Sequence, residues 1–519
     1  MRTRTAASGQ LYGVGVGPGD PSLLTVAAAG LIGSADVVAY HRAAHKDSVA
    51  LSIARDYLPD NVIREELIYP VTTGTADHPG GYHALLAEFY DECAERLAAH
   101  LTAGRSVVVL AEGDPLFFGS FMYVHDLLKP RFPVEVVPGV TSMAAATAAV
   151  GTGLCRHEDT LTVLPGTLPV RDLADRLSAT DAAVIMKLGR TFPNVLEAVR
   201  QAGLLDRAWY VERASSDRQR VKPITEVDPT TVPYMSMIVI TGRDLRADAA
   251  GRATTPTQSE DSAPSARPTG RTGTVHVLGL GPGPDDWVTP ETERILGQVR
   301  HVLGYRPYVE RVVPREGLTR HYSANTVEVD RGVAALDLAR GGDDVAVVSG
   351  GDPGVFAMAS AVLEAQQTAG AEDPSYKAIE VRVHPGVTAA HAASARVGAP
   401  LGGDHALVSL SDRLKPWEVI EQRLRSLAAA DMAIAIYNPR SVTRPGGLAR
   451  AREVLLDATD GDRVVVIGRR IGKADETVSV TTLRDFDPET VDMGCLVIVG
   501  SSTTTVTGSG AVWTPRFQS

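Results

Sequence analysis

GVGVGPGDPSLLT at residues 13–25 and GLGPGPDDWVT at residues 279–289 are near copies, and the fold turns on reading them together. The sequence around them aligns without a gap, LYGVGVGPGDPSLLTVAAAGLIGSADVVAYHR from Leu11 lying on VHVLGLGPGPDDWVTPETERILGQVRHVLGYR from Val275. Gly15, Gly17, Pro18, Gly19, Thr25 and Arg42 thereby fall on Gly279, Gly281, Pro282, Gly283, Thr289 and Arg306. Further along, SVVVLAEGDPLFFG (106–119) answers DVAVVSGGDPGVFA (344–357), and VEVVPGVTSMAAATAAVG (134–151) answers VRVHPGVTAAHAASARVG (381–398). Three motifs kept in one order mark a tandem duplication.

Between the copies, RDLRADAAGRATTPTQSEDSAPSARPTGRT (243–272) has almost no large apolar residues, so burial cannot offset its ordering entropy. The sequence therefore divides into a first unit at 8–242, a flexible linker at 243–272, a second unit at 273–504 and a tail at 505–519. Two units on a tether is the expectation, each able to move relative to the other. A length of 519 residues also exceeds what one core organises.

Composition excludes several classes of function. The formal charge of -11 and the lack of a Lys/Arg block argue against nucleic acid. No run of about 18 apolar residues is present to span a membrane, and no apolar segment near the start suits a signal peptide. Cys93, Cys155 and Cys495 are far apart and form no CxxC pair, which argues against a disulfide framework and a cysteine zinc site. His41 and His45, at i, i+4, are read as a surface or substrate-contacting pair, so no metal is expected. These features together point to a cytoplasmic protein.

Within each unit, short Val/Ile/Leu runs ending in Gly, Asp or Pro alternate with Ala/Leu/Arg-rich helical stretches. That alternation predicts an α/β fold with a largely parallel sheet, whose ligands collect beyond the carboxyl ends of the strands. Every Gly-rich motif falls there. A dinucleotide fingerprint fits poorly, because Asp36 precedes the apolar run VVAY instead of ending it and the second unit has Arg300 at that place. Neither loop continues into the GK[ST] of a phosphate-binding P-loop. A tight turn that needs glycine for its backbone angles is the bland reading of either loop taken alone.

In conjunction, GxGPGD, a strand ending in GDP, and PGVTS or PGVTA resemble the tetrapyrrole methylases, enzymes that use S-adenosylmethionine. The resemblance implies that each unit is two α/β subdomains with the cofactor in the cleft between them. ELIYPVTTG, AEGDPLFFG and MKLGRTFPNV make the first unit similar to precorrin-2 methyltransferases acting at carbon 20. GAPLGGDHALVSLSD, AIYNPRSVTRP and GRRIGKADETV make the second similar to precorrin-3B methyltransferases acting at carbon 17. The function implied is a bifunctional C-methyltransferase of cobalamin synthesis acting on reduced tetrapyrroles (precorrins), as a homodimer or an intramolecular pseudo-dimer. One unit serving only as a tetrapyrrole-docking module is the alternative, and a dinucleotide-dependent oxidoreductase is a third reading.

By the same resemblance, the cofactor positions of the first unit are Pro18, Glu112, Gly113, Asp114, Phe117, Thr141, Ser142, Leu188 and Met237. Those of the second are Pro282, Gly350, Gly351, Asp352, Val355, Thr388, Ala389, Asn438 and Cys495. Simple turn capping is the alternative for Asp114 and Asp352. His41 and Tyr305 stand where the family often carries a proton acceptor, and an ordinary imidazole pKa suits His41 to that task, a buried or merely substrate-packing histidine being the alternative. Arg42 and Arg306 suit substrate carboxylates, with solvated surface charge as the alternative. The second unit departs from the pattern at Pro284, which replaces the acid of GPGD.

Overall fold

The computed structural model describes residues 4–70, 78–155, 159–242, 272–324, 327–412, 415–441 and 444–515. The expected linker lies outside them apart from Thr272. The first unit begins with five parallel strands in the order Ile63–Tyr69, Val37–Ala43, Val107–Ala111, Leu11–Gly15, Val134–Val137. The second repeats that order with Thr319–Ser323, His301–Tyr305, Val345–Ser349, Thr274–Gly279 and Glu380–His384. The runs VVVLA and VAVVS at the sheet centres are wholly buried, as strands covered on both faces must be. Thr25 and Thr289 start equivalent helices, Val26–Ile32 and Pro290–Gln298, by accepting the N–H of Ala28 and Thr292.

The rest of both units forms a single ten-stranded sheet. Its order is Thr477–Thr482, Val464–Arg469, Cys495–Val499, Ala433–Tyr437 and His405–Ser409 from the second unit, then Leu161–Pro165, Ala182–Met186, Ser236–Ile240, Ala208–Glu212 and Arg220–Pro223 from the first. One face packs against the helices Val170–Ser178, Phe192–Gln201, Trp417–Ala429 and Gly447–Ala458. The other face shares a core with the parallel sheets and so faces the clefts.

Two sequence expectations are corrected here. The units are not independent bodies on a tether, because Leu161–Pro165 pairs antiparallel with His405–Ser409. Each is an apolar edge that would otherwise present unpaired backbone to water. Ion pairs Arg176–Asp404 and Arg423–Asp181 tie the same junction together. The tail is not loose either, since Val512–Trp513 pairs with Gly398–Ala399 and with Thr505–Val506. Ala511 and Val512 are buried, which the apolar triplet Ala511–Val512–Trp513 makes favourable.

Candidate active site

The glycines of the opening motif turn out to serve the protein's own backbone. Gly17 and Gly113 exchange N–H···O bonds of 3.3 and 2.8 Å, and across the equivalent bridge the Gly281 N–H donates to the Gly351 carbonyl at 3.2 Å. A Cβ on Gly139 would lie 2.0 Å from the Gly113 carbonyl oxygen, and one on Gly15 would lie 2.6 Å from the Gly139 nitrogen. In each unit three loops at the carboxyl ends of parallel strands therefore meet backbone to backbone. The GDP aspartates lock them. Asp114 accepts the N–H of Leu116 (2.9 Å) and of Gly139 (3.1 Å), and Asp352 accepts those of Gly354 (2.8 Å) and Gly386 (3.0 Å). Burial pushes Asp114 up to about 7 and Asp352 up to about 6, against the opposing pull of these donors. Their carboxylates cap the following turn and also clamp it to the next loop.

The second subdomain closes on this assembly. Gly19 has room for no side chain because the Ala214 carbonyl and Ser215 stand there, and Gly283 is likewise filled by Ile471 and Gly472. Asp20 caps Pro21–Leu23 by accepting from Ser22, while its own N–H donates to Ser215 Oγ at 3.1 Å. Pro284 takes the same place without a cap and packs against Gly472. The loop acid is thus a local cap, and Arg311 secures the second unit's loop instead by donating to the carbonyls of Leu280 and Gly281.

Three pairs of non-glycine residues have positive φ at matching places in the two units: Phe118 (54°) and Phe356 (50°), Lys187 (58°) and Asn438 (49°), Arg213 (49°) and Arg470 (50°). Lys187, Asn438, Arg213 and Arg470 each directly follow a strand, while Phe118 and Phe356 lie in the loops after Val107–Ala111 and Val345–Ser349, and strained backbone repeated in both units is a mark of a functional site. Two of them touch, the Lys187 ammonium lying 4.6 Å from the centre of the Phe118 ring.

Glu112 and Gly350 differ for a steric reason. A Cβ on Gly350 would meet the ring of Tyr308 at 2.7 Å, so a phenol in the second unit fills the place of the Glu112 side chain in the first. Burial pushes Glu112 up to about 7 and raises the Tyr308 phenol. Both can therefore carry a proton at neutral pH. Sequence reasoning missed Tyr308, although a bulky residue three after Tyr305 opposite a glycine was there to be read.

His41 stacks on Tyr69 (5.4 Å between ring centres), with Phe89 and Tyr90 edge-on at 6.2 and 6.3 Å. Burial lowers its pKa to about 4, and Nε2 has no hydrogen-bond partner among the described residues. The ordinary imidazole pKa expected from sequence is therefore corrected: the aromatic surroundings keep this ring neutral. Tyr305 packs edge-on against Tyr308 at 5.6 Å. Arg42 is engaged with Glu66 (Nε to Oε2, 2.9 Å) and the carbonyls of Ala43 and Ala44, whereas Arg306 is exposed over the Tyr322 ring. Thr141 caps the helix Ser142–Val150 by accepting from Ala144. Thr388 does not act as a side-chain cap; Ala390 N–H goes to the Tyr437 hydroxyl, and the buried Thr388 Oγ1 has no partner among the described residues.

Two cross-unit pairings fail by one residue. Strand Ala182–Met186 matches Ala433–Tyr437, so Asn438 corresponds to Lys187, and the Leu188 side chain lies in the far-face core. Ser236 opens its strand as Cys495 does, which makes Leu496 the counterpart of Met237. Met237 and Leu496 share the cleft-side core, whereas Cys495 faces the other way. A slip of one residue along a strand exchanges its faces.

Fold and site together define a duplicated α/β protein with two equivalent interdomain clefts at the carboxyl ends of its strands. The family described as Tetrapyrrole (Corrin/Porphyrin) Methylases matches residues 10–228 and 274–487, and the chain belongs to it. It is 50% identical over 518 residues to the cobalamin biosynthesis protein CobIJ of Mycobacterium bovis (strain ATCC BAA-935 / AF2122/97), covering 98% of this chain and 96% of that one. Two shorter proteins of Sinorhizobium sp. each match about half of it. The precorrin-2 C(20)-methyltransferase is 44% identical across 45% of this chain and 96% of its own length. The precorrin-3B C(17)-methyltransferase is 45% identical across 47% of this chain and 97% of its own length.

Proposed function

We propose that the chain is a bifunctional, S-adenosylmethionine-dependent methyltransferase of cobalamin synthesis, its first unit methylating precorrin-2 at carbon 20 and its second methylating precorrin-3B at carbon 17 with ring contraction. The observation that carries this reading is the complete second copy of the loop clasp, the Asp lock and the three strained positions. Similarity to a fused relative along nearly the whole chain, and to one single-activity enzyme per half, supports the assignment of substrates.

The residues fit the cofactor. Gly113 and Gly351 have positive φ, and a Cβ added to either would stand 3.8–3.9 Å from the nearest backbone of the PGVT loops, ordinary contact distance. The orphaned Thr388 Oγ1 gives the second cleft a polar contact. Pro18, Glu112–Asp114, Phe117, Thr141 and Ser142 would hold the group in the first unit, with Met237 behind; Pro282, Gly350–Asp352, Val355, Thr388 and Ala389 would do so in the second, with Leu496 behind. The group supplies an already activated sulfonium methyl, which needs alignment and exclusion of water more than a metal. Apolar Met237 and Leu496 exclude water. His41 is the base the family resemblance implies for the proton that carbon 20 sheds, a weak one because burial disfavours its charged form, and Arg306 reaches substrate carboxylates.

Among the described residues no helix is long and apolar enough to cross a membrane, and the three cysteines are free, which supports a reducing, cytoplasmic setting. The antiparallel junction between the units supports an intramolecular pseudo-dimer. Incubating purified precorrin-2 with the protein and S-adenosylmethionine tests the reading: mass spectrometry should show one added methyl, and calorimetry should count two cofactor sites per chain. An unmethylated product, or one site, would reject it for the half concerned.

A further inference from the structure

Phe117 belongs to the turn that follows Asp114 in the first unit, yet its ring is held by the second. His391, from the helix Ala389–Val397, meets it edge-on at 4.7 Å, and His405, which begins the strand His405–Ser409, meets it at 5.6 Å. The two imidazoles lie 6.0 Å apart, and all three rings are buried. His405 Nδ1 reaches the Gly403 carbonyl at 3.0 Å, but His405 Nε2 and both nitrogens of His391 have no hydrogen-bond partner among the described residues. Apolar side chains of similar size would be the stable choice for such a place. At the symmetry-related places the protein makes that choice: Val355 replaces Phe117, Ala144 replaces His391 and Leu161 replaces His405. The imidazole wall exists on one side only. Phe117 continues the contact inward, packing against Phe118 at 5.1 Å, and Phe118 is the strained residue under Lys187.

We propose that His391 and His405 are positioning residues for the first unit's methyl transfer, holding Phe117 and the strained turn beside it in the shape that receives the cofactor. The first site is then completed by an imidazole pair from the second unit, whereas the second unit's Gly354–Val355 turn meets the first unit through the backbone and thiol of Cys155 and the side chain of Thr147. The proposal rests on Phe117 lining the first cofactor cleft.

The test uses the full chain with His405→Leu and His391→Ala, each copying what the protein already carries at the related position. S-adenosylmethionine KM for carbon 20 methylation should rise about tenfold in either variant, about 1.4 kcal/mol of lost binding, with kcat held within about twofold. With His405→Leu, carbon 17 methylation should keep both parameters. An unchanged KM in both variants, where Phe117→Ala raises it, would overturn the cross-unit role and leave the cleft reading standing. Parallel loss of both transfers would reduce the histidines to general packing and overturn it too. If Phe117→Ala itself leaves the first transfer intact, the placement of Phe117 in the cleft is wrong and the proposal falls with it.

Discussion

Thr162 of the first unit and Ala406 of the second lie directly opposite each other in an antiparallel pair, and the register around them exchanges equivalent residues, Leu161 with Leu407 and Val163 with His405. Leu161 pairs with Ala182 as His405 pairs with Ala433, so a local twofold axis passes between Thr162 and Ala406. This is an isologous contact made inside one chain.

Cutting the chain between Gly251 and Gly270 should leave both methyl transfers nearly unchanged, because the shared sheet and the Arg176–Asp404 and Arg423–Asp181 pairs still hold the halves together. Native mass spectrometry of the cut protein should show a one-to-one complex. Halves that separate on dilution and keep full activity would contradict a structural junction.

Asp114→Ala should suppress the first transfer and spare the second. It strands the buried N–H groups of Leu116 and Gly139 and costs about 1–3 kcal/mol for each group left unpaired. Thermal melting checks the cost, and separate assays on the two precorrins check the selectivity. Asp352→Ala should produce the converse pattern.

Gly139→Ala drives a methyl against the Gly113 carbonyl and should cost about 1–3 kcal/mol as well as the first transfer. Gly446→Ala, where a methyl meets nothing, is the control and should change neither melting temperature nor activity.

His405→Leu should also change the response to acid. Burial lowers His405 to about 4, below its unfolded value, so its contribution to stability is complete above pH ~6.5 and is lost as pH falls through about 4. Between those limits the wild type should lose about 3 kcal/mol relative to the variant. Denaturant unfolding of both proteins at several pH values measures the difference, to which Asp114 and Asp352 contribute equally on both sides. A pH-independent difference would show that His405 is not buried as a neutral ring.

The ordered motifs made both parallel sheets and both clefts legible, because glycines in close backbone contact leave a spacing that cannot drift. Registers at the ends of apolar strands were less legible. Nothing in IMKLG or SMIVI marks which residue turns into the cleft, and the readings at Leu188 and Cys495 slipped by one. The junction was hidden for a different reason: LTVLP and HALVS look like ordinary buried strands, and only the folded chain shows that each is buried by the other. His391 stood among small helix residues with nothing to signal a contact with Phe117.

The local twofold has a consequence for heredity. In a pair of identical subunits every substitution near the axis arrives twice, and a change helpful on one side must be endured on the other. A tandem chain meets each substitution once. His405 can therefore sit beside Val163 while Leu161 sits beside Leu407, a combination that two copies of one gene product could never inherit separately.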